Sequence, residues 1–379
     1  MKNSKSSKLF KLALLSISLY VYIGTSISPA ASLLYQAFGS VSHTQVDLLT
    51  TIPNFGIVLG LILSPFAVKA FGQKKIIISG LLLTLICGLL PAFLTNFWLI
   101  LATRFLVGLG IGLFNSLAVS LIPQLYHETN ELSKMVGYQT LTASLGSALS
   151  LFIVAFLVSY GWHAVFWMYL MVLPGLLLFV KAVELPQTAS QKTFHWNLPL
   201  AVWIMALLMF LVLAFYMTLG YKLPIFAVEK GFVSTSTYSM LAGCMMLVGL
   251  PVGAIFGRLY DRFKSLLLPA SALILFAGFL VISLANNLPV LLVGDILAGI
   301  GYGLIMPVLY RLLDRFCPHE LVASATTLVL ISGNIGCSFS PILLEVLGGK
   351  TAQAALLISA GFFAILFMVS LIYAVGRKA

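Results

Sequence analysis

Arg104 and Asp295 are ionisable side chains set inside stretches that otherwise carry no charge. RFLVGLGIGLF (104–114) and DILAGIGYGLI (295–305) share one layout, a leading charge and then spaced glycines, with the sign reversed between the copies. A charge within an apolar membrane helix costs about 2.5–3.5 kcal/mol on insertion scales, so it is kept where it meets a cavity or a partner. The chemistry open to this pair is binding of a charged group, proton exchange at the carboxyl, or permanent ion pairing. Among the acidic residues, Glu128, Glu131, Glu184, Asp261, Asp314, Glu320 and Glu229 fit loops, Asp47 and Glu345 lie near helix ends, and Asp295 stands clearly within a helix. Lys222, beside Tyr221, is the nearest candidate for a third charged member.

Aromatic and amide side chains in the same apolar runs can supply the few oriented polar contacts of a mostly apolar pocket. They are Tyr20, Tyr22, Asn54, Asn115, Gln139, Tyr216, Tyr302 and Asn334. Each fits an interhelical hydrogen bond or an interface aromatic equally well. The glycines do not form a dinucleotide loop, which needs GxGxxG between a strand and a helix. Small residues at three- and four-residue spacing, including Gly56 with Gly60 and Gly249, Gly253 and Gly257, instead let helices approach closely.

The elements that must carry these residues are membrane helices. Sixty-one per cent of the 379 residues are hydrophobic and 8% are charged, against roughly 25% charged in an average soluble domain; the mean hydropathy is +1.09. Twelve apolar runs can be marked, at 9–28, 45–68, 76–95, 97–122, 134–158, 162–182, 197–219, 236–256, 265–285, 288–310, 321–346 and 352–375. At about 20 residues each they can cross a bilayer as helices, and they lack the alternation of barrel strands. The expected architecture is all-α, with twelve transmembrane helices. The N-terminal run is longer than a signal-peptide core and contains Tyr20 and Tyr22, so it is expected to stay as the first helix.

The net charge of +11 reflects topology and not nucleic-acid binding. The lysines and arginines fall on one side of a twelve-span arrangement, except Lys222, Lys230 and Lys350 on the other side and Arg104 within a helix. The positive-inside rule then places both termini in the cytoplasm. Cys87, Cys244, Cys317 and Cys337 show no metal-ligand spacing and read as packing thiols. No GxxxxGK[ST] motif offers ATP hydrolysis, and no cofactor or metal is expected.

The chain repeats itself. FGSVSHTQVDLLT (38–50) aligns with KGFVSTSTYSMLA (230–242), and SLGSALS (144–150) with NIGCSFS (334–340), on either side of the arginine and aspartate copies. Six helices return the chain to its starting side, giving parallel repeats of the kind that build transporters. The polar, helix-poor segment 184–196 is the expected cytoplasmic linker between six-helix bundles at 1–183 and 197–379.

The second-half loop GRLYDRF carries Gly257, Asp261 and Arg262; the first-half equivalent has Pro65, Lys69 and Ala70 at those places but keeps Gly72, Lys74 and Lys75. With the Arg104 block of Gly108, Gly110 and Gly112 and with YGWHAVFWMY at 160–169, this resembles the major facilitator superfamily over essentially the whole chain. A looser likeness in TIPNFGIVLGLILSP and GLFNSLAVSLIP points to its cyanate and nitroimidazole branch, while LTASLGSALSLF lacks the Gly-Pro pair of drug/proton antiporters. The resemblance implies a cytoplasmic gate motif at Gly257, Asp261, Arg262, Gly72 and Lys74, weakened in the first half. It also implies that helices 1, 4, 7 and 10 line a central cavity, with Asp295 as the titratable coupling group and Arg104 as an anchor for substrate charge. The alternative is structural pairing of Asp295 with Lys222 and of Arg104 with Asp47. The leading functional expectation is a monomeric, proton-coupled secondary transporter of a small organic solute in the cell membrane, not an enzyme; a multidrug efflux antiporter is the alternative.

Overall fold

The computed structural model describes residues 8–126, 129–183, 197–248, 250–318 and 321–376. They are helical throughout their ordered elements, and no strand occurs among them. All twelve expected runs carry helix. Among the described residues ten helices are long and apolar enough to cross a membrane, or eleven if Phe256–Phe263 and Leu267–Ser283 count as one bent span. The eighth span is described as Thr235–Val248 and Leu250–Phe263, and the ninth as Leu267–Ser283. Large apolar side chains such as Phe66, Phe93, Trp98 and Ile365 are exposed on the outside of these helices, as a surface solvated by lipid requires.

Local signals explain where the helices begin. Ser42 caps the second span, His43–Phe71, in a reciprocal box: its hydroxyl accepts the Gln45 N–H at 3.3 Å and Gln45 Oε1 accepts the Ser42 N–H at 3.1 Å. Asn96 caps the fourth span, Phe97–Leu125, accepting the N–H groups of Trp98 and Leu99 at 2.9 and 3.2 Å. Asn287 does the same for the tenth span, Leu288–Phe316, through the Val290 N–H at 3.0 Å. Such caps satisfy donors that a helix start leaves open. The two asparagines hold equivalent places in the repeat, and each precedes its charged residue by the same spacing. Arg104 and Asp295 are therefore set at one depth, about 12 Å of helix rise beyond the cap.

Helix continuity differs from the expectation. Proline removes a backbone donor and tends to break a helix, yet Pro307 and Pro341 both lie inside single helices, because neighbouring groups can meet the bond that is lost. Pro251 is the second residue of Leu250–Phe263, and residue 249 between the two helices of the eighth span lies outside the described residues. The breaks fall elsewhere. The first span, Lys8–Ala37, passes through 3₁₀ turns at 17–20, 23–25 and 28–30, where Thr25 and Ser26 hydroxyls bond back to the Tyr22 carbonyl at 3.2 and 3.4 Å. Hydroxyls that compete for carbonyls loosen a helix. The seventh span, Leu200–Glu229, breaks at Met217, near the end of the expected run 197–219, and continues as a helix beyond that run.

The chain divides into two compact units: Met1–Gln191 with Thr235–Met246, and Lys192–Ser234 with Leu247–Ala379. The first unit has a continuous apolar core in which Phe10, Leu14, Ile17 and Tyr20 of the first span pack with Ile77, Ile111, Phe114 and Phe166. The internal repeat reappears in packing. Gly146 of the fifth span lies against the backbone of Leu19 in the first, and Gly336 of the eleventh lies against the backbone of Phe210 in the seventh. A methyl group at either glycine would overlap main-chain atoms.

Candidate functional site

Arg104 is fully buried in the first unit, at 0% exposure. Its Nε donates to the Leu49 carbonyl at 2.9 Å, Nη1 to the Tyr169 hydroxyl and Nη2 to the Gly24 carbonyl. The Tyr169 hydroxyl in turn points at the Ile23 carbonyl, 3.5 Å away. Each acceptor has a reason to need a donor. Leu49 lies four residues before Pro53, which has no N–H to offer it, and Gly24 lies in the 3₁₀ region of the first span. Gly108, one turn beyond Arg104, has no Cβ, and the Pro53 carbonyl occupies the place one would take. Arg104 and Gly108 thus act together on the defect that Pro53 makes in the second span.

This corrects two expectations. Arg104 does not present its guanidinium to open space, because three neutral groups from the first, second and sixth spans enclose it. It bonds to those neutral groups in place of the expected Asp47, which accepts the Tyr35 hydroxyl at 2.7 Å. Tyr169 is the residue that sequence reasoning missed. The signal for it was weak, an ordinary tyrosine in FWMY, and only the fold brings it to Arg104.

Asp295 has the opposite environment. It is half-buried in the tenth span of the second unit and makes no hydrogen bond or ion pair among the described residues. No buried side-chain nitrogen or oxygen among them lacks a partner, so the unpartnered carboxyl must reach accessible space. Tyr216 is the last residue before the break in the seventh span. Tyr216 stacks on Tyr302 with ring centroids 4.0 Å apart and planes 13° from parallel, and meets Phe279 edge-on at 6.4 Å. Asp295 and Tyr302 are seven residues apart and share a helix face. The carboxyl therefore lies on the face of the tenth span that meets Tyr216, about 10 Å of helix rise from Tyr302.

The remaining candidates divide. Lys222 is buried beyond the Met217 break, with its ammonium 5.6 Å from the Tyr221 ring centroid. The Tyr221 hydroxyl shares a 3.0 Å hydrogen bond with Ser340. Tyr20 is buried against Gly175 of the sixth span, a packing position away from open space, whereas Tyr22 is exposed. The amides of Asn54 and Asn334 bond within their own helices, to the Thr51 carbonyl at 3.0 Å and the Leu330 carbonyl at 2.9 Å. Asn115 and Gln139 are half-buried. No group of three or more potential metal ligands occurs among the described residues.

The family model of the Major Facilitator Superfamily matches residues 13–341 and 205–379. The chain belongs to the major facilitator superfamily. It is 25% identical over 358 residues to the chloramphenicol resistance protein CraA of Acinetobacter baumannii, covering 87% of this chain and 84% of that protein. It is 23% identical over 394 residues to the minor myo-inositol transporter IolF of Bacillus subtilis, covering 94% and 90%. The fold matches the crystal structure of the nucleoside transporter NupG, as a D323A mutant, with a TM-score of 0.81 at 13% identity over 96% of this chain and 99% of that one. The protein is accordingly a multi-pass membrane transporter of the superfamily and not, at family level, an enzyme.

The superfamily's loop motif is differently anchored in the two halves. Gly72 ends the second span at φ 85°, a left-handed turn that glycine adopts without strain. Lys74 Nζ donates to the Val180 carbonyl at 3.0 Å, near the end of the sixth span, so it ties elements within the first unit. In the second unit Gly257, Asp261 and Arg262 are exposed. These residues and Tyr260 lie in the last turns of the helix Leu250–Phe263 and not in a loop; Tyr260 sits under the Arg311 guanidinium, 4.4 Å from the ring centroid, which fastens the end of that helix to the tenth span.

Proposed function

We propose that this superfamily member carries a small organic solute by alternating access, coupled to protons, with Asp295 as the group that takes up and releases the proton. One observation carries the reading: a carboxyl inside a membrane span, without a hydrogen-bond or ion-pair partner among the described residues, beside the Tyr216–Tyr302 pair. Intramembrane carboxylates are otherwise paired or enclosed, so an accessible one has work to do as it changes surroundings. Arg104, bonded to three groups on three spans, is assigned to holding the first unit's broken helices. We place the working protein as a monomer in the cell membrane with both termini in the cytoplasm, on the distribution of its basic residues.

The test uses purified protein in proteoliposomes and a panel of chloramphenicol, myo-inositol and nucleosides, the solutes named for its relatives and fold neighbour. Asp295→Asn should abolish accumulation driven by a pH gradient while leaving solute counterflow in place. Undiminished gradient-driven accumulation in the variant would refute the assignment. The likeness to the chloramphenicol resistance protein favours a second reading, an efflux antiporter. Raised drug resistance in cells overexpressing the chain, with no solute uptake, selects that reading.

A further inference from the structure

The two copies of the charged glycine block are equivalent in sequence but are packed differently, and the difference centres on one residue. In the first copy Gly108, one turn after Arg104, is pressed onto the Pro53 backbone. Gly299 holds the same place one turn after Asp295, yet a Cβ built there would meet no atom of the described residues within 4 Å. Close helix packing, the reason for Gly108, does not account for it.

Contact with lipid does not account for it either. Asp295, Gly299 and Tyr302 are spaced four and then three residues apart, which puts them on one face of the tenth span. That face turns toward the seventh span, because Tyr302 stacks on Tyr216. The gap at Gly299 is thus bounded by an unpartnered carboxyl at one end and a stacked phenol pair at the other. Helix rise sets those ends about 10 Å apart along the axis.

We infer that Gly299 is the floor of the substrate site, over which lies a flat ring bearing a hydrogen-bond donor. A flat ring against Tyr302 and Tyr216 extends an existing aromatic stack. An ionised carboxylate only accepts hydrogen bonds, so the solute supplies the N–H or O–H that meets Asp295. The missing side chain at 299 then sets how large a ring the site admits. This rests on the reading of Asp295 as a cavity-facing group.

Two measurements test it without a proton gradient. In full-length protein with Cys87, Cys244, Cys317 and Cys337 replaced by alanine, Gly299→Cys should react with a charged, water-borne methanethiosulfonate. Gly361→Cys, on the twelfth span and also without a neighbour within 4 Å, should not react. A Gly299→Cys thiol that resists the reagent overturns the inference. In equilibrium dialysis, Gly299→Leu should bind the fused-ring ethidium at least about tenfold more weakly, with a smaller loss for the single-ring tyramine. Gly299→Ala gives the same order of effects if the leucine variant fails to fold. Unchanged binding of both probes by the folded variants, or binding of neither by the wild type, also overturns it. Asp295→Asn can lose gradient coupling while Gly299→Cys stays unreactive, or the reverse, so failure of one reading is told from failure of the other.

Discussion

A guanidinium offers five N–H donors in a rigid fork and no acceptor. At Arg104 that fork meets three acceptors on three different spans, and burial leaves no water to replace them. Each carbonyl orphaned in such a place costs about 1–3 kcal/mol. Arg104→Ala should therefore lower stability by at least about 2 kcal/mol, read as thermal unfolding of the detergent-solubilised protein. Arg104→Lys keeps the charge but not the fork, and should recover little of that loss. A lysine variant as stable as the wild type would show that charge alone matters. Asp295 is the contrasting case at this scale: a carboxyl with no bonds of its own to lose, so that Asp295→Asn should alter coupling and leave unfolding temperature nearly unchanged in the same assay.

Among the elements, the second and fourth spans are held together by a defect and its repair. Pro53 leaves the Leu49 carbonyl without its helical partner, and the Arg104 Nε–H fills the gap. Residues that share one network do not act additively. Pro53→Ala restores a backbone donor, so the cost of Arg104→Ala should be smaller in that background than in the wild type. Equal costs in a double-mutant cycle would separate the two residues. The helix starts make a second prediction. Asn96→Ala and Asn287→Ala each remove a capping acceptor and should destabilise by about 1 kcal/mol, seen as matching drops in thermal midpoint, because the two caps are equivalent members of the repeat.

For the whole molecule, the division into two compact units, with the second half lending Thr235–Met246 to the first unit, predicts that the connection between the halves near residue 190 is dispensable. Fragments 1–190 and 191–379, co-expressed, should co-purify and retain counterflow of the solute carried by the intact chain. Fragments that insert but do not assemble would show that the connection is needed to bring the units together. The grouping of Thr235–Met246 with the first unit supports assembly: Ser236 donates to the Ala155 carbonyl at 2.6 Å, and Gly243 lies close to the Phe152 ring.

The sequence by itself determined the membrane class, the run of helices, the duplication and the two marked positions, because apolar length, charge placement and self-similarity are properties of order along the chain. What became of the charges was decided by tertiary structure alone. Arg104 and Asp295 have the same spacing from equivalent caps, yet one is enclosed by a proline-made carbonyl, a 3₁₀ turn and Tyr169, and the other stands open beside two stacked tyrosines. Those neighbours come from spans distant in sequence, and the breaks that present Gly24 and Tyr216 arise within stretches whose hydropathy is that of unbroken helix. Burial and partnership depend on which helices meet, and that information appears only when the chain is folded.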